Sequence, residues 1–373
     1  MKNNVIKYLL LFVFAITACE TDEYAAATNK DEDRVATQID LSNPMVAQWY
    51  KDLNMGVLFE YDKNLDIAYV AGSDATASRW DDAEIPEIST LFEDSSTATL
   101  PDNIETYKQY KDSVVKLFDE NIFKFFKANS FISGLMPYKI IVSHSIYFPG
   151  NLPGEAGSVV TESTSRYSDD NTGQLRTVYN DNAIVFSGDI NDITSTEAKI
   201  VEFSKDNFYI LFSRIMGMHN LYDLIPESFH ANKNEYYGNE MEAIFRDEMN
   251  IADEKLVFVI DKDWFFAKGF IDSKNFYESG IGTIFQNYDE DGNYLGVAGR
   301  ITHRDAIAPD DEFVADKETD IRSYLNEMIH GSSDEILAYP QNIQDNMKLL
   351  LDLFTEWGVD MLLVNPDLEV LNA

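Results

Sequence analysis

The chain has 373 residues, 45% of them hydrophobic, with 24 Phe and 20 Tyr, and a formal net charge of −36. Such a surplus of acid argues against nucleic-acid binding, which rests on Lys and Arg neutralising phosphates, and against polybasic attraction to anionic lipid. The apolar content supports one large folded domain or two small ones, and one cysteine in the whole chain excludes internal disulfides and multi-thiolate metal sites.

The N-terminus reads as a processed leader over residues 1–18. Lys2 and Lys7 form a basic start, Tyr8 to Ile16 a short apolar core, and Ile16-Thr17-Ala18-Cys19 a lipobox. That core is shorter than the roughly 20 apolar residues a membrane-spanning helix needs, so it is a targeting segment. The expected mature chain begins at a lipidated Cys19, anchored to a membrane and not crossing it. Removing the leader takes away Lys2 and Lys7 and no acid, so the mature chain is more acidic still. Residues 19–40 are polar, acidic and small, and read as a flexible tether. Glu20, Asp22 and Glu23, just behind the cysteine, resemble the export signal that carries lipoproteins to the cell surface in one Gram-negative phylum.

A folded domain is expected over 41–373. Asn43-Pro44 starts a short helix carrying Trp49 and Leu53, with Gly56 as its C-terminal cap, and Val57 to Tyr61 reads as a strand. Helical spacing runs from Ile104 to Ala128. Tyr138 to Phe148 and Ala183 to Phe186 read as strands by their β-branched and aromatic content, with loop or hairpin between them. Thr194-x-x-Glu197 has the form of a capping box before a long helix reaching Met218. Residues 287–294 look like a hairpin turn, and they lack the glycine placement of a calcium loop. Two helices, over 311–330 and 340–357, close the chain, the second stopped by Gly358. Helices and strands alternate without a regular βαβ rhythm, which predicts an α+β fold.

Motifs for chemistry are sparse. The five histidines (His144, His219, His230, His303 and His330) form no HxxxH or HxH pair, so the helical two-histidine zinc site is absent. No GxSxG, SxxK or phosphate-binding glycine loop occurs. Ser143 and His144 are neighbours on a predicted strand and point to opposite faces. Trp80-Asp81-Asp82 and Asp263-Trp264 have the composition of a sugar platform, although packed structural tryptophans explain them as well.

The order of elements resembles the zinc-binding metallopeptidase lipoproteins associated with substrate import. The resemblance runs from about Leu41 to the C-terminus. It rests on Trp49 with Phe59-Glu60-Tyr61, Ala183 to Phe186, the helix entered at Thr194, Pro226-Glu227-Ser228-Phe229, Asp311-Glu312-Phe313 and Trp357-Gly358-Val359-Asp360. It implies a zincin-like scaffold with a small mixed sheet and several helices. It also implies an outer-membrane location facing outward, and company with a TonB-dependent importer and its partner lipoprotein. The family's central helix carries HEFxHxL, and here that stretch reads Phe212 to Met218. Phe212 and Met216 stand for the two zinc-binding histidines, Ser213 for the general base, and Ala315 for a glutamate of the later acidic segment.

A benzyl group offers zinc no lone pair and a thioether only a soft one. Without the metal there is no activated water, and Ser213 is no carboxylate base. Phe212, Ile215, Met216 and Met218 are instead expected to fill a core. The resemblance therefore implies a pseudoenzyme, without cofactor, acting as an accessory or binding protein in nutrient import. Two alternatives stand beside it. One is an active zinc peptidase or other hydrolase with ligands from elsewhere, His219 or His230 with carboxylates. The other is a glycan-binding lipoprotein of unrelated fold.

Overall fold

The computed structural model describes residues 34–61, 66, 101–143, 146–147, 174–175, 177–179, 183–252, 260–271, 285–288, 294–298, 313–314 and 316–372. The chain divides into two units, Met1–Gln38 and Ile39–Ala373. In the first, a five-residue helix α1 (Arg34–Gln38) stands within the stretch expected to be tether. Cys19 and the leader lie outside the described residues, as do His144, His303, Trp80 to Asp82 and Ala315.

In the second unit, α2 (Pro44–Leu53) begins as the sequence suggests. The Asn43 side chain accepts from the amides of Met45 and Val46, and Pro44 fills the first helical position, where its missing N–H costs nothing. The helix ends earlier than expected, because Asn54 and not Gly56 takes the left-handed cap, with φ 53°. Asn tolerates that conformation better than most residues. Gly56 is thereby released into strand β1 (Gly56–Leu58), which is shorter than the expected run to Tyr61. Val46, Trp49 and Leu53 form the buried face of α2. The Trp49 ring meets Phe123 edge-on at 4.7 Å while its N–H donates to Asp119 at 2.9 Å.

Helix α3 (Pro101–Asn121) supplies Asp119; it starts and stops before the expected limits, and a 3₁₀ turn over Phe123–Phe125 follows it. Strand β2 (Lys139–Ser143) ends before the predicted strand does, and a separate two-residue strand, β3 (Ile146–Tyr147), pairs with β4 (Gln174–Leu175). Next come β5 (Thr177–Tyr179) and β6 (Ile184–Ser187). The main sheet has the order β1-β2-β6-β5. Its first three strands are parallel, in the register Val57–Ile140–Ile184, while β5 runs antiparallel to β6. The three parallel strands are buried nearly throughout, as expected where helices cover a parallel sheet.

A short helix α4 (Ile190–Ile193) leads into the central helix α5 (Glu197–Met218). Thr194 does not cap α5. Its hydroxyl donates back to the Ile190 carbonyl at 2.7 Å and closes α4, and Thr196 accepts from the Lys199 amide as the true cap. The chain continues through α6 (Glu227–His230), α7 (Met241–Glu248) and α8 (Lys262–Ala267). The expected hairpin is present as antiparallel β7 (Phe285–Tyr288) and β8 (Tyr294–Ala298). Helix α9 (Lys317–His330) begins later than predicted and is capped by Asp316. A helix absent from the sequence reading, α10 (Ser333–Ala338), carries a full capping box between Ser332 and Glu335.

Helix α11 (Gln341–Trp357) buries Ile343, Met347, Leu350, Leu351, Phe354 and Trp357 along one face. Gly358 ends it at φ 98°, as the sequence predicts. A Cβ there would lie 2.2 Å from that of Ser130, so both the conformation and the space require glycine. The chain beyond it pairs back onto the 3₁₀ turn, with Lys127 donating to Gly358 and Asp360 to Phe125, both at 2.8 Å. The last short helix, α12 (Met361–Val364), follows. Among the described residues no helix is long and apolar enough to cross a membrane. The architecture is α+β, with helices gathered around a small mixed sheet.

Candidate functional site

Helix α5 runs through the centre of the domain, and eight consecutive residues from Asp206 to Ser213 are buried. Its entry is fixed by the Thr196 cap. Its middle is held by rings, with Phe208 edge-on to Phe125 at 5.4 Å and tilted against Phe126 at 5.6 Å. Phe212 continues this stack, at 5.6 Å from Phe208 and perpendicular to Phe354 of α11 at 5.0 Å. Phe212, Ile215 and Met216 are each 0% exposed. Four residues apart, Phe212 and Met216 share one helix face, and that face is packed.

Ser213 is buried on the neighbouring face, and its hydroxyl has no hydrogen-bond partner among the described residues. Among the described residues, no carboxylate or imidazole is bonded to it that could activate it as a base. Met218 departs from expectation: it is 44% exposed, because two residues past Met216 the helix presents its opposite side. His219 is the C-cap of α5 and is exposed, its amide spent on the carbonyls of Ile215 and Gly217.

A zinc ion does not fit this face. Phe212 and Met216 supply no nitrogen or carboxylate, and their surroundings are aromatic and aliphatic. Among the described residues, no group of three or more His, Cys, Asp and Glu is arranged to hold a metal ion.

His230, the other histidine singled out from the sequence, lies in a different setting. Pro226 starts the single turn of α6, which ends at His230, and the next turn brings Lys233 inward. Asp320 points in from the first turn of α9, where the Asp316 cap and its bond to Thr319 fix the helix start. His230 Nδ1 lies 2.6 Å from the Tyr237 hydroxyl, which donates to Asp320 Oδ2 at 2.7 Å. Tyr237 has one proton and gives it to Asp320, so the proton of the His–Tyr bond sits on Nδ1. Lys233 Nζ lies 2.5 Å from the same Asp320 oxygen. Lys233 is 1% exposed and Asp320 0%.

Aromatic rings wall this cluster. Lys233 Nζ stands 3.5 Å from the centroid of Phe229 and 4.7 Å from that of Tyr324, within cation–π range. Tyr324 is tied down by donating to the Gly269 carbonyl at 2.6 Å and accepting from Asn346. Gly269, at φ 90°, makes room for the lysine stem: a Cβ there would come within 3.3 Å of Lys233 Cδ.

Burial governs the protonation states. It pulls the Lys233 ammonium down to about 8, against the opposing pull of Asp320, and pushes the Asp320 carboxyl up, against Lys233 and Tyr237. Both shifts favour the neutral forms, as desolvation must. His230 is pulled down to about 4 by burial, then by the Lys233 and Lys317 cations. A neutral imidazole committed to Tyr237 and flanked by two lysines is poorly placed to hold a cation.

The sequence pointed to His230 but not to Lys233, Tyr237 or Asp320. Tyr237 and Asp320 are 83 residues apart, and one aspartate among so many acids carries no signal. Trp264, considered as a sugar platform, is instead packed against Phe245 and Phe313 and donates to Glu248 at 2.8 Å. No family model, curated protein or solved structure matches the chain.

Proposed function

We propose that this protein is a lipid-anchored outer-membrane protein, facing the extracellular side, that serves a nutrient-import system as a binding or accessory partner without metal catalysis. The observation that carries the catalytic half of this reading is the packing of Phe212 and Met216. Where the resembling zinc peptidases place two histidines, this chain places an aromatic stack continuous with Phe208 and Phe354. The scaffold that the resemblance implies is zincin-like. A parallel sheet alongside a long helix is compatible with it, and Ser213 without an activating neighbour is consistent with a lost base.

The anchor rests on the sequence, on Cys19 behind its lipobox, and the importer with its partner lipoprotein on the resemblance alone. An acidic domain of this charge stays dispersed by self-repulsion.

Two experiments test the reading. Full-length protein purified in detergent is expected to leave a peptide library uncut. Cleavage that stops on adding phenanthroline and returns with zinc would contradict it. Cys19→Ser is expected to release the chain from the membrane fraction and to abolish fatty-acid labelling, and unchanged membrane association would remove the anchor from the account.

A further inference from the structure

The cluster around Lys233 has no role in the reading above, and its geometry is unusual for an ion pair. A buried pair of charges holds together only when the remaining lone pairs and protons find partners. Here Asp320 Oδ1 has no donor among the described residues, and Lys233 Nζ lies 2.5 Å from Oδ2 without the angles of a hydrogen bond. The amine is enclosed by Phe229, Tyr324 and Phe270. Such a pocket discourages the ammonium and favours the free amine, the nucleophilic form of lysine.

We propose that Lys233 and Asp320 condense into an intramolecular amide, a covalent clamp between the segment after α6 and the first turn of α9. The nucleophile is Nζ and the electrophile is the Asp320 side-chain carbonyl carbon, Cγ. Two of the three ammonium protons pass to Oδ2, the Nζ–Cγ bond forms, the Cγ–Oδ2 bond breaks, and Oδ2 leaves as water. Oδ1 remains as the amide oxygen. No oxidant, cofactor or second substrate is consumed, and both charges disappear from the interior.

Three features of the site favour this step. The reacting groups are held in contact, which converts a slow bimolecular condensation into an intramolecular one. The Tyr237 hydroxyl donates to Oδ2 at 2.7 Å, so it polarises the carboxyl and stands beside the departing water. Burial lowers the lysine and raises the aspartic acid, shifting the pair toward the amine and acid forms that condensation requires. The clamp is independent of what became of the zinc-ligand positions.

Denaturing trypsin digestion of the full-length protein, followed by mass spectrometry, tests the bond directly. An acylated Lys233 resists trypsin, so residues 215–246 are expected as one peptide, joined to residues 318–322 and lighter than their sum by one water. Lys233→Arg retains the charge and offers no amine; in that variant, residues 318–322 are expected as a free peptide. Complete recovery of 318–322 as a separate peptide from the folded wild-type chain, with cleavage after Lys233, would overturn the proposal. So would the linked species persisting in Lys233→Arg.

Discussion

Among the described residues, two buried clusters have opposite character, one around Phe212 and the other around Lys233. The first is held by ring contacts between Phe208, Phe212 and Phe354, which tolerate replacement by a group of similar volume. The second joins Lys233, Asp320, Tyr237 and His230 through charge and directed bonds, and none of these can be removed without stranding another. Apolar packing of this kind needs only volume and shape, as at Phe212. A buried charge has no such freedom, and retaining one demands either full pairing or neutralisation.

The largest expected effect comes from breaking the charged pocket on one side. Asp320→Ala leaves Lys233 uncompensated and is expected to cost about 3–5 kcal/mol in denaturant unfolding, with Lys233→Met/Asp320→Leu recovering most of it. A loss below about 1 kcal/mol would mean the pair is solvated, as exposed pairs are, and the contrast would collapse. Phe212→Ala is expected to cost a similar amount, about 3–5 kcal/mol, through its cavity, whereas Phe212→Leu keeps much of the volume and costs far less. Introducing the zinc-binding motif of the peptidases the sequence resembles, with Phe212→His, Ser213→Glu and Met216→His, is expected to destabilise the fold and not to yield a peptidase. Three polar groups would be buried there, the first of them against Phe208 and Phe354, at the cost of their hydration.

Gly358→Ala combines a strained φ with a clash against Ser130, and is expected to lower stability by about 1–3 kcal/mol. The smallest effect is in pH. His230 titrates at about 4 in the folded chain and near 6.5 when unfolded. The unfolded state therefore binds the proton first as pH falls. This histidine is expected to leave stability unchanged above about pH 6.5 and to erode it between there and about 4. His230→Gln should flatten that part of the profile in thermal melts across the range. An unchanged slope would show that His230 is solvated.

Much of the fold was legible because local chemistry and global packing agreed. Asn43-Pro44 announced α2, and the closing helix α11 ended at Gly358 as expected. The errors came from residues competing for one role. Asn54 took the left-handed cap before Gly56 was reached, and Thr196 capped α5 while Thr194 bonded backwards to Ile190. Both alternatives fit the same local pattern, and only tertiary context decides between them.

The candidate site divided the same way. Phe212 and Met216 were expected in the core because apolar side chains there cannot hold zinc, and both are buried. Met218 was not separable from them by composition, and it is exposed. The Lys233–Asp320 pair joins distant segments, and no periodicity or motif links residues that meet only through the fold.

The account rests most directly on the absence of a metal site on α5, and metal content measures that. Full-length protein purified in metal-free buffer, then incubated with zinc and passed through a desalting column, is expected to retain far less than one zinc per chain, with no change in melting temperature. One zinc per chain, lost on Met216→Leu or on His230→Gln, would contradict it.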